Sequence, residues 1–282
     1  MKTFTLSSEG VLGRYDYLSR LSTDRWGWEY ARRNNDLKRD ARTRSPEDMA
    51  ERRAPCADIR ILHSRVPQTL AERWGLIFMP DPEQNAYDAD AIWSLGAFPD
   101  QVEVNCSPRT PDQKCDIWDR TVPYCAITHV TDGHGREFLL VRGKGCVVQI
   151  QCTGSSLLGI EPVRMKLTIS DIDAYERKLK TQKAALELYG DGPDLSEPLW
   201  TKRTQILRNG LIALDCLEAG LSQKEIAAVI YGGDVVSTSW GDDVSPLRNA
   251  IRYVIRKAEG LRDGGYLTEL LGAEIEPQAV AG

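Results

Sequence analysis

Residues 221–230 have the sequence Leu-Ser-Gln-Lys-Glu-Ile-Ala-Ala-Val-Ile, and this stretch decides the fold that we predict for the C-terminal region. Ser222 and Glu225 have the spacing of a capping box, in which each side chain bonds to the backbone of the other residue at a helix N-terminus. Ile226 and Ile230 lie four residues apart, so they share one helix face. The pattern predicts a short helix that packs through one apolar side.

Longer helices are predicted on both sides of this one. The first runs from about Thr201 to Ala219, with an apolar stripe at Ile206, Gly210, Leu214 and Leu217. The other begins at Ser245, because Pro246 suits the first helical position, and its apolar stripe is Leu247, Ile251, Val254, Ala258 and Leu261. Three helices in this order predict a helix-turn-helix over residues 200–263.

The link between the second and third helices departs from the common motif, which has three to four residues there. Here the link is thirteen residues long, from Gly232 to Val244. We therefore predict a variant helix-turn-helix, with Trp240 holding the linking loop in the core.

The polar side of the third helix carries a local excess of positive charge. Residues 245–262 contain five basic residues and one acidic residue, whereas residues 201–272 contain nine of each. Because arginine can bond to phosphate or to a guanine edge through two N–H groups, we expect this helix to contact DNA. The predicted contacts are Arg248, Asn249, Arg252 and Arg256, with Lys257 at the edge, and Gln223 and Lys224 of the preceding helix near the DNA backbone.

The fold class predicted for the whole chain is α+β. An N-terminal helical and mixed unit is expected over residues 14–100, an acidic linker or loop over 101–123, and the C-terminal unit over 124–272. The last unit begins with a small antiparallel sheet at 124–169, followed by a helix at 170–190. Its strands are predicted at 124–131, 137–142, 146–152 and 163–169, with turns at Asp132-Gly133-His134-Gly135 and at Gly143-Lys144-Gly145.

Aromatic residues are concentrated near the N-terminus, at Tyr15, Tyr17, Trp26, Trp28 and Tyr30. They can form the core of a small helical unit, or they can form an exposed surface that docks on another protein, since aromatic residues and arginine are typical of interface cores. Residues 74–79 are an apolar run that resembles a strand.

Composition narrows the class of protein. The chain has 282 residues, a formal net charge of −5 and 41% hydrophobic residues, values that are ordinary for a globular protein. No apolar run approaches the length of a membrane helix, and the N-terminus does not resemble a signal peptide, so we expect a cytoplasmic protein that contacts no membrane.

Neither an enzyme nor a metal protein is favoured by the motifs. The nucleotide-binding loops, the zinc-protease motif and the serine-hydrolase motif are not found, so we expect neither catalysis nor a cofactor. A zinc site is the alternative at Cys106, Cys115 and Cys125 with His129 or His134. The gaps between these cysteines are wider than the close pairs typical of structural zinc, which disfavours that site.

Several ordered motifs resemble a known family. Residues 137–272 are similar to the RovC-like DNA-binding domain, and an N-terminal part resembles the transcriptional regulator-like domain that accompanies it. The C-terminal match rests on residues 208–215 and 219–227, Tyr231-Gly232, Trp240, the helix of Arg248 to Arg256, Asp263-Gly264-Gly265-Tyr266 and Leu270. The N-terminal match rests on Tyr15-Asp16-Tyr17-Leu18, residues 26–34 and Arg73-Trp74-Gly75-Leu76.

The resemblance implies a bacterial transcription regulator, typically an activator of type VI secretion genes or of the transfer of conjugative elements. It also leaves an alternative open, because some relatives are antiactivators that bind a related regulator instead of DNA. The expected partners are promoter DNA, a second copy of the chain and either RNA polymerase or an antiactivator protein. Because one short helix makes few base contacts, we expect self-association, with the aromatic N-terminal segment as the interface.

Overall fold

A long sheet and a group of helices make up the part of the chain that the computed structural model describes, which is residues 10, 12–54, 59–110, 125–159, 162–169, 172–189, 198–241 and 245–274. The α-helices are α1 (Thr23–Ala31), α2 (Asn35–Arg42), α3 (Thr69–Glu72), α4 (Tyr175–Tyr189), α5 (Lys202–Glu218), α6 (Gln223–Tyr231), α7 (Gly233–Ser239), α8 (Pro246–Gly260) and α9 (Tyr266–Glu269). Two 3-10 helices, Gly13–Arg20 and Pro46–Asp48, and a π-helical turn, Leu261–Gly265, complete the helical elements of these residues. Within this part of the chain, no helix is long and apolar enough to cross a membrane.

The strands are β1 (Met49–Arg53), β2 (Ile59–Ser64), β3 (Val102–Pro108), β4 (Ala126–Thr131), β5 (Glu137–Gly143), β6 (Cys146–Gly154) and β7 (Val163–Thr168). They form one seven-stranded sheet in the order β1-β2-β4-β5-β6-β3-β7. The pairs β2–β4 and β3–β6 are parallel, and the other pairs are antiparallel. The predicted α+β class is confirmed, but the sheet is larger and more mixed than predicted, because β1, β2 and β3 come from outside residues 124–169.

The acidic linker or loop that the sequence predicts over residues 101–123 is wrong at its start, because Val102–Pro108 form strand β3. This strand lies between β6 and β7 and pairs with both of them. Val102, Val104 and Cys106 alternate with less buried residues and point into an apolar cluster on the sheet. This two-residue alternation outweighs the acidic composition and the nearby prolines that suggested a linker. Residues 111–124 lie outside the described residues, and the division of the chain at 100 and 124 stays a prediction.

The two predicted turns connect antiparallel strands as expected. The turn at Asp132 closes β4 onto β5, since the Asp132 N–H donates to the Arg136 carbonyl at 3.0 Å. The turn between β5 and β6 is one residue shorter than predicted, because Gly143 belongs to β5 and pairs with Cys146. Lys144 and Gly145 have φ values of 50° and 73°, which are the left-handed values of a tight hairpin turn.

The N-terminal aromatic residues belong to the core. Trp26, Trp28 and Tyr30 are each exposed by 1% or less, and Tyr15 is also buried. The alternative that these aromatic side chains form an exposed docking surface is therefore wrong, and the core alternative is confirmed for them. Amphipathic spacing alone does not distinguish an aromatic core from an aromatic interface, because both require the same residue types.

The strand predicted at residues 74–79 is also wrong. This run makes only an isolated antiparallel β-bridge, between Leu76 and Trp93. Gly75 has a φ of 77°, so the backbone turns there and cannot continue an extended pairing. The run is buried as expected.

Helices from both ends of the chain meet in one core. Gly210 of α5 is the closest point, since a Cβ atom at this position would lie 2.6 Å from the Tyr30 hydroxyl and 3.2 Å from the Ala258 Cβ. Helix α5 therefore touches α1 on one side and α8 on the other. The predicted stripe on α5 is wrong at Ile206, which is 44% exposed, and Leu207 occupies the buried side instead.

A buried charged network joins α1 to α5. The Glu29 carboxylate is fully buried and accepts hydrogen bonds from Arg33 at 2.6 Å and from Arg32 at 2.8 Å. Arg33 also donates to both carboxylate oxygens of Asp215 in α5, at 2.6 and 2.8 Å. The Tyr15 hydroxyl donates to the same carboxylate. The orientation of α5 is thus fixed by ion pairs as well as by apolar contacts.

Candidate nucleic-acid interface

Helix α8 packs through the apolar stripe that the sequence predicts. Ile251, Val254, Ala258 and Leu261 are buried, and Leu247 is half-buried. The helix contacts α5 and α6, its main helical neighbours. The predicted starts of all three helices are confirmed: Thr201 and Ser222 each form a capping box, and Pro246 is the first residue of α8.

The opposite side of α8 brings four of the predicted contact residues together. Asn249, Arg252 and Arg256 are exposed, and Arg248 is half-buried. Because residues four apart follow each other along a helix face, the three arginines form one line. A line of guanidinium groups with an amide beside it can donate to phosphate oxygens and to base edges at once.

Tyr253 is a residue of this face that the sequence analysis missed. It is 57% exposed and follows Arg252 in the sequence, so it borders the arginine line. An aromatic residue on the polar side of an amphipathic helix, where no core position requires it, was the available signal. Its ring can stack and its hydroxyl can donate a hydrogen bond, so it suits either DNA or protein.

The link before α8 differs from the predicted loop, since residues 233–239 form helix α7. Its C-terminal neighbour Trp240 is half-buried and packs against the core, as predicted. The Trp240 ring also contacts the Arg248 guanidinium, whose central carbon is 5.3 Å from the ring centre. Residues 242–244 lie outside the described residues.

Lys257 lies apart from the arginine line. Its ammonium group forms an ion pair with Glu269 of α9. The positive charge of Lys257 is therefore offset by a carboxylate, which lowers its value as a phosphate contact.

The N-terminus of α6 presents Gln223 and Lys224, which are exposed as predicted. The Ser222 N–H donates to the Glu225 carboxylate at 2.8 Å, and the Ser222 hydroxyl donates to the same oxygen at 2.7 Å. These hydrogen bonds lower the pKa of Glu225, so its carboxylate is ionised at neutral pH. A negative charge at this end opposes phosphate binding by the helix N-terminus itself, so a DNA contact here requires the Lys224 or Gln223 side chain.

The structure describes four members of the alternative zinc site, Cys106, Cys125, His129 and His134. Among the described residues no group of His, Cys, Asp and Glu could hold a metal ion, and Cys115 lies outside them. His129 is buried, and its Nε2 lies 3.1 Å from the Glu137 carboxylate. Burial lowers the pKa of His129, and Glu137 offsets this effect only in part.

Residues 164–271 match a family model described as "T6SS, Transcription factor, DNA binding domain". This region, from β7 through α9, is therefore similar to the RovC-like DNA-binding domain, as the sequence motifs predict. No curated protein matches the chain. The resemblance of the N-terminal residues to a regulator-like domain stays a prediction.

Proposed function

We propose that this chain is a sequence-specific transcription regulator that binds double-stranded DNA through α8. The observation that carries the proposal is the line of Arg248, Arg252 and Arg256 on the exposed side of a helix whose other side is buried. The family match supports it, because these residues lie within a segment that matches the DNA-binding domain of type VI secretion transcription factors. We propose an activator of such secretion genes or of mobile-element genes, acting in the cytoplasm.

The proposed contacts divide between bases and backbone. In a helix-turn-helix, the helix in the major groove presents its N-terminal residues to base edges. Arg248, Asn249 and Arg252 lie in the first half of α8 and suit base contacts, whereas Arg256 in its second half suits phosphate. Lys224 and Gln223 of α6 suit the DNA backbone. Helices α5, α6 and α8 would act as the three helices of a variant motif in which α7 occupies the link.

The proposal is tested by the salt dependence of binding. If about four to six phosphates are neutralised by each protomer, log K should fall with log salt at a slope of roughly −4 to −5 per protomer. Fluorescence anisotropy of a labelled promoter duplex, measured over a series of salt concentrations, gives the slope. A slope near zero would leave no role for the arginine line.

Two single substitutions separate base contacts from backbone contacts. Arg252→Ala is expected to cost about 1–3 kcal/mol on the preferred sequence and to relax sequence preference, because a bidentate base contact is lost. Lys224→Ala is expected to weaken binding to all sequences alike and to flatten the salt slope by about one unit. Anisotropy titrations with preferred and unrelated duplexes measure both effects. Equal losses on both duplexes for Arg252→Ala would contradict its assignment to a base.

An antiactivator that binds a related regulator is the second candidate. It is favoured by one observation, the exposed Tyr253 among arginines, since Tyr and Arg are enriched at protein interfaces. Under this alternative the purified chain would bind a regulator and would not shift DNA.

For the first candidate we further propose self-association on DNA and contact with RNA polymerase, through surfaces other than the buried aromatic segment. A chain that stays monomeric in light scattering, alone and on DNA, would argue against self-association.

A further inference from the structure

A cavity of about 310 Å³ lies between one end of the sheet, the residues that follow α2 and the segment 78–84. One side of it is the face of β1 and β2 on which Glu51 lies opposite Leu62. The residues that line it do not include any of α8, so the cavity is separate from the proposed DNA contacts. Small-molecule sites are typically of this size or larger, with apolar walls and a few polar groups.

The walls of this cavity are largely apolar. Leu62, Phe78 and Met79 are each exposed by 5% or less, and Met49 is half-buried beside them. These side chains offer contact area to an apolar molecule but no hydrogen bonds, so the polar groups of the lining determine which ligand fits.

Three charged side chains of the lining neutralise one another. Arg60 donates to both carboxylate oxygens of Glu51, at 2.7 and 3.0 Å, and it also donates to Asp90. Asp90 accepts a further hydrogen bond from Arg142 at 2.9 Å. Because these charges are paired within the protein, they offer little attraction to a charged ligand.

Arg44 and Asp81 are the charged side chains of the lining that remain. Within the described ranges neither of them forms an ion pair. Arg44 donates from Nη1 to the Met79 carbonyl at 3.3 Å, and Asp81 accepts at Oδ1 from the Glu83 N–H at 3.0 Å. These bonds leave the Nε–Nη2 edge of Arg44 and the second oxygen of Asp81 for a ligand.

The wall that carries Asp81 is fixed by α1. The Trp28 Nε1 donates to the Gln84 carbonyl at 3.1 Å, and the Ala86 N–H donates to the buried Glu29 carboxylate at 2.7 Å. A wall that is ordered before the ligand arrives loses little conformational freedom on binding. The cavity is therefore largely preformed.

We propose that this cavity binds a free apolar α-amino acid. The ligand carboxylate bonds to the free edge of Arg44, since a guanidinium and a carboxylate match through two parallel hydrogen bonds. The ligand ammonium bonds to Asp81, and its apolar side chain packs on Leu62 and Phe78. A free α-amino acid carries both charges on one carbon, whereas a peptide separates them, so the pair of Arg44 and Asp81 suits the free molecule.

Isothermal titration calorimetry of the full chain with phenylalanine tests the inference. The expected dissociation constant is below about 1 mM, an ordinary efficiency for a ligand of this size. The analogue 3-phenylpropanoate lacks the ammonium, and phenethylamine lacks the carboxylate. Each is expected to bind roughly 5- to 20-fold more weakly, between the scale of an exposed ion pair and that of a charged hydrogen bond. Glycine, which lacks the apolar side chain, is expected to show no binding.

Two conservative substitutions assign the charges. In Arg44→Gln, phenylalanine is expected to bind within about 2-fold of phenethylamine, because its carboxylate has lost its partner. In Asp81→Asn, phenylalanine is expected to bind within about 2-fold of 3-phenylpropanoate for the matching reason, and the new side chain keeps an oxygen for the Glu83 N–H. Arg42→Gln, at an exposed position outside the cavity, is the matched control and should bind like wild type.

The analogue series uses the wild type alone, so it decides the question even where a variant fails to fold, which thermal unfolding shows. Loss of each preference in its own variant supports the inference. A wild-type chain that binds no apolar amino acid overturns it, as does 3-phenylpropanoate that binds as tightly as phenylalanine. Folded Arg44→Gln and Asp81→Asn variants that bind phenylalanine like wild type also overturn it, because the site would then lie elsewhere. All of these results leave the proposed DNA binding by α8 to its own tests.

Discussion

Replacing Glu29 by alanine is expected to lower the free energy of unfolding by about 3–5 kcal/mol, the cost of removing one partner from a buried ion pair. Glu29 is fully buried and accepts hydrogen bonds from the Tyr17 hydroxyl, Arg32, Arg33 and the Ala86 N–H. Without the carboxylate, all four donors lose a buried acceptor, and the two arginines also lose the charge that balances theirs. Chemical denaturation followed by circular dichroism measures the change.

Glu218→Ala is the matched control for this variant. Glu218 also pairs with a basic residue of the N-terminal helices, Lys38, at 3.0 Å, but its side chain is 64% exposed. An exposed pair of this kind contributes at most about 1 kcal/mol, because water screens it. Equal losses of stability in Glu29→Ala and Glu218→Ala would show that burial of the network does not matter.

The same network makes a prediction about pH. Burial raises the pKa of Glu29, but the charges of Arg33 and Arg32 outweigh that effect, so its pKa lies below the usual value. A carboxyl with a lowered pKa in the folded state stabilises the protein above its unfolded pKa, which is about 4. This stabilisation is lost as pH falls through the folded pKa. The wild type is therefore expected to lose more stability than Glu29→Ala when the pH is lowered below about 4.

Removing all three arginines of the α8 line is expected to reduce affinity for a preferred duplex by at least about 100-fold. Three contacts of about 1–3 kcal/mol each support this estimate, even though they need not add fully. The salt slope should also become flatter by about one unit, since Arg256 is the member of the line that suits phosphate. Arg252 and Arg256 are exposed, Arg248 is half-buried against Trp240, and none of the three belongs to the buried stripe of α8, so the triple variant is expected to fold.

A second triple variant controls for the loss of charge. Arg39, Arg42 and Arg52 are exposed residues that precede the matched segment, and replacing them by alanine removes the same three charges. If binding depends on the position of the arginines, this control should change affinity by less than about 3-fold. Similar losses in the two triple variants would mean that binding responds to net charge alone.

Local patterns in the sequence predicted the C-terminal helices well. The capping box of Ser222 with Glu225 and the proline at position 246 mark helix starts by interactions within one turn, so no distant residue is needed to recognise them. The apolar stripe of α8 was predicted correctly for the same reason. The exposed Ile206 shows the limit, because several faces of a helix can fit the spacing rule and only packing selects one.

Long-range relations could not be predicted in this way. The placement of β3 between β6 and β7 depends on pairing across the fold, and its acidic surroundings hid the alternation of Val102, Val104 and Cys106. The buried network of Glu29 and Asp215 joins residues that are far apart in the chain, so their burial had no local signal. The contact of Trp240 with Arg248 likewise required helix α7, which was predicted as a loop.

Selection of bound duplexes from a random-sequence pool tests most directly whether the arginine line on α8 recognises DNA. The wild type and the Arg39, Arg42 and Arg52 control are expected to enrich the same defined site. The variant that lacks Arg248, Arg252 and Arg256 is expected to enrich none, although it is folded. Enrichment of the same site by that variant would contradict the account, because recognition would then lie elsewhere on the protein.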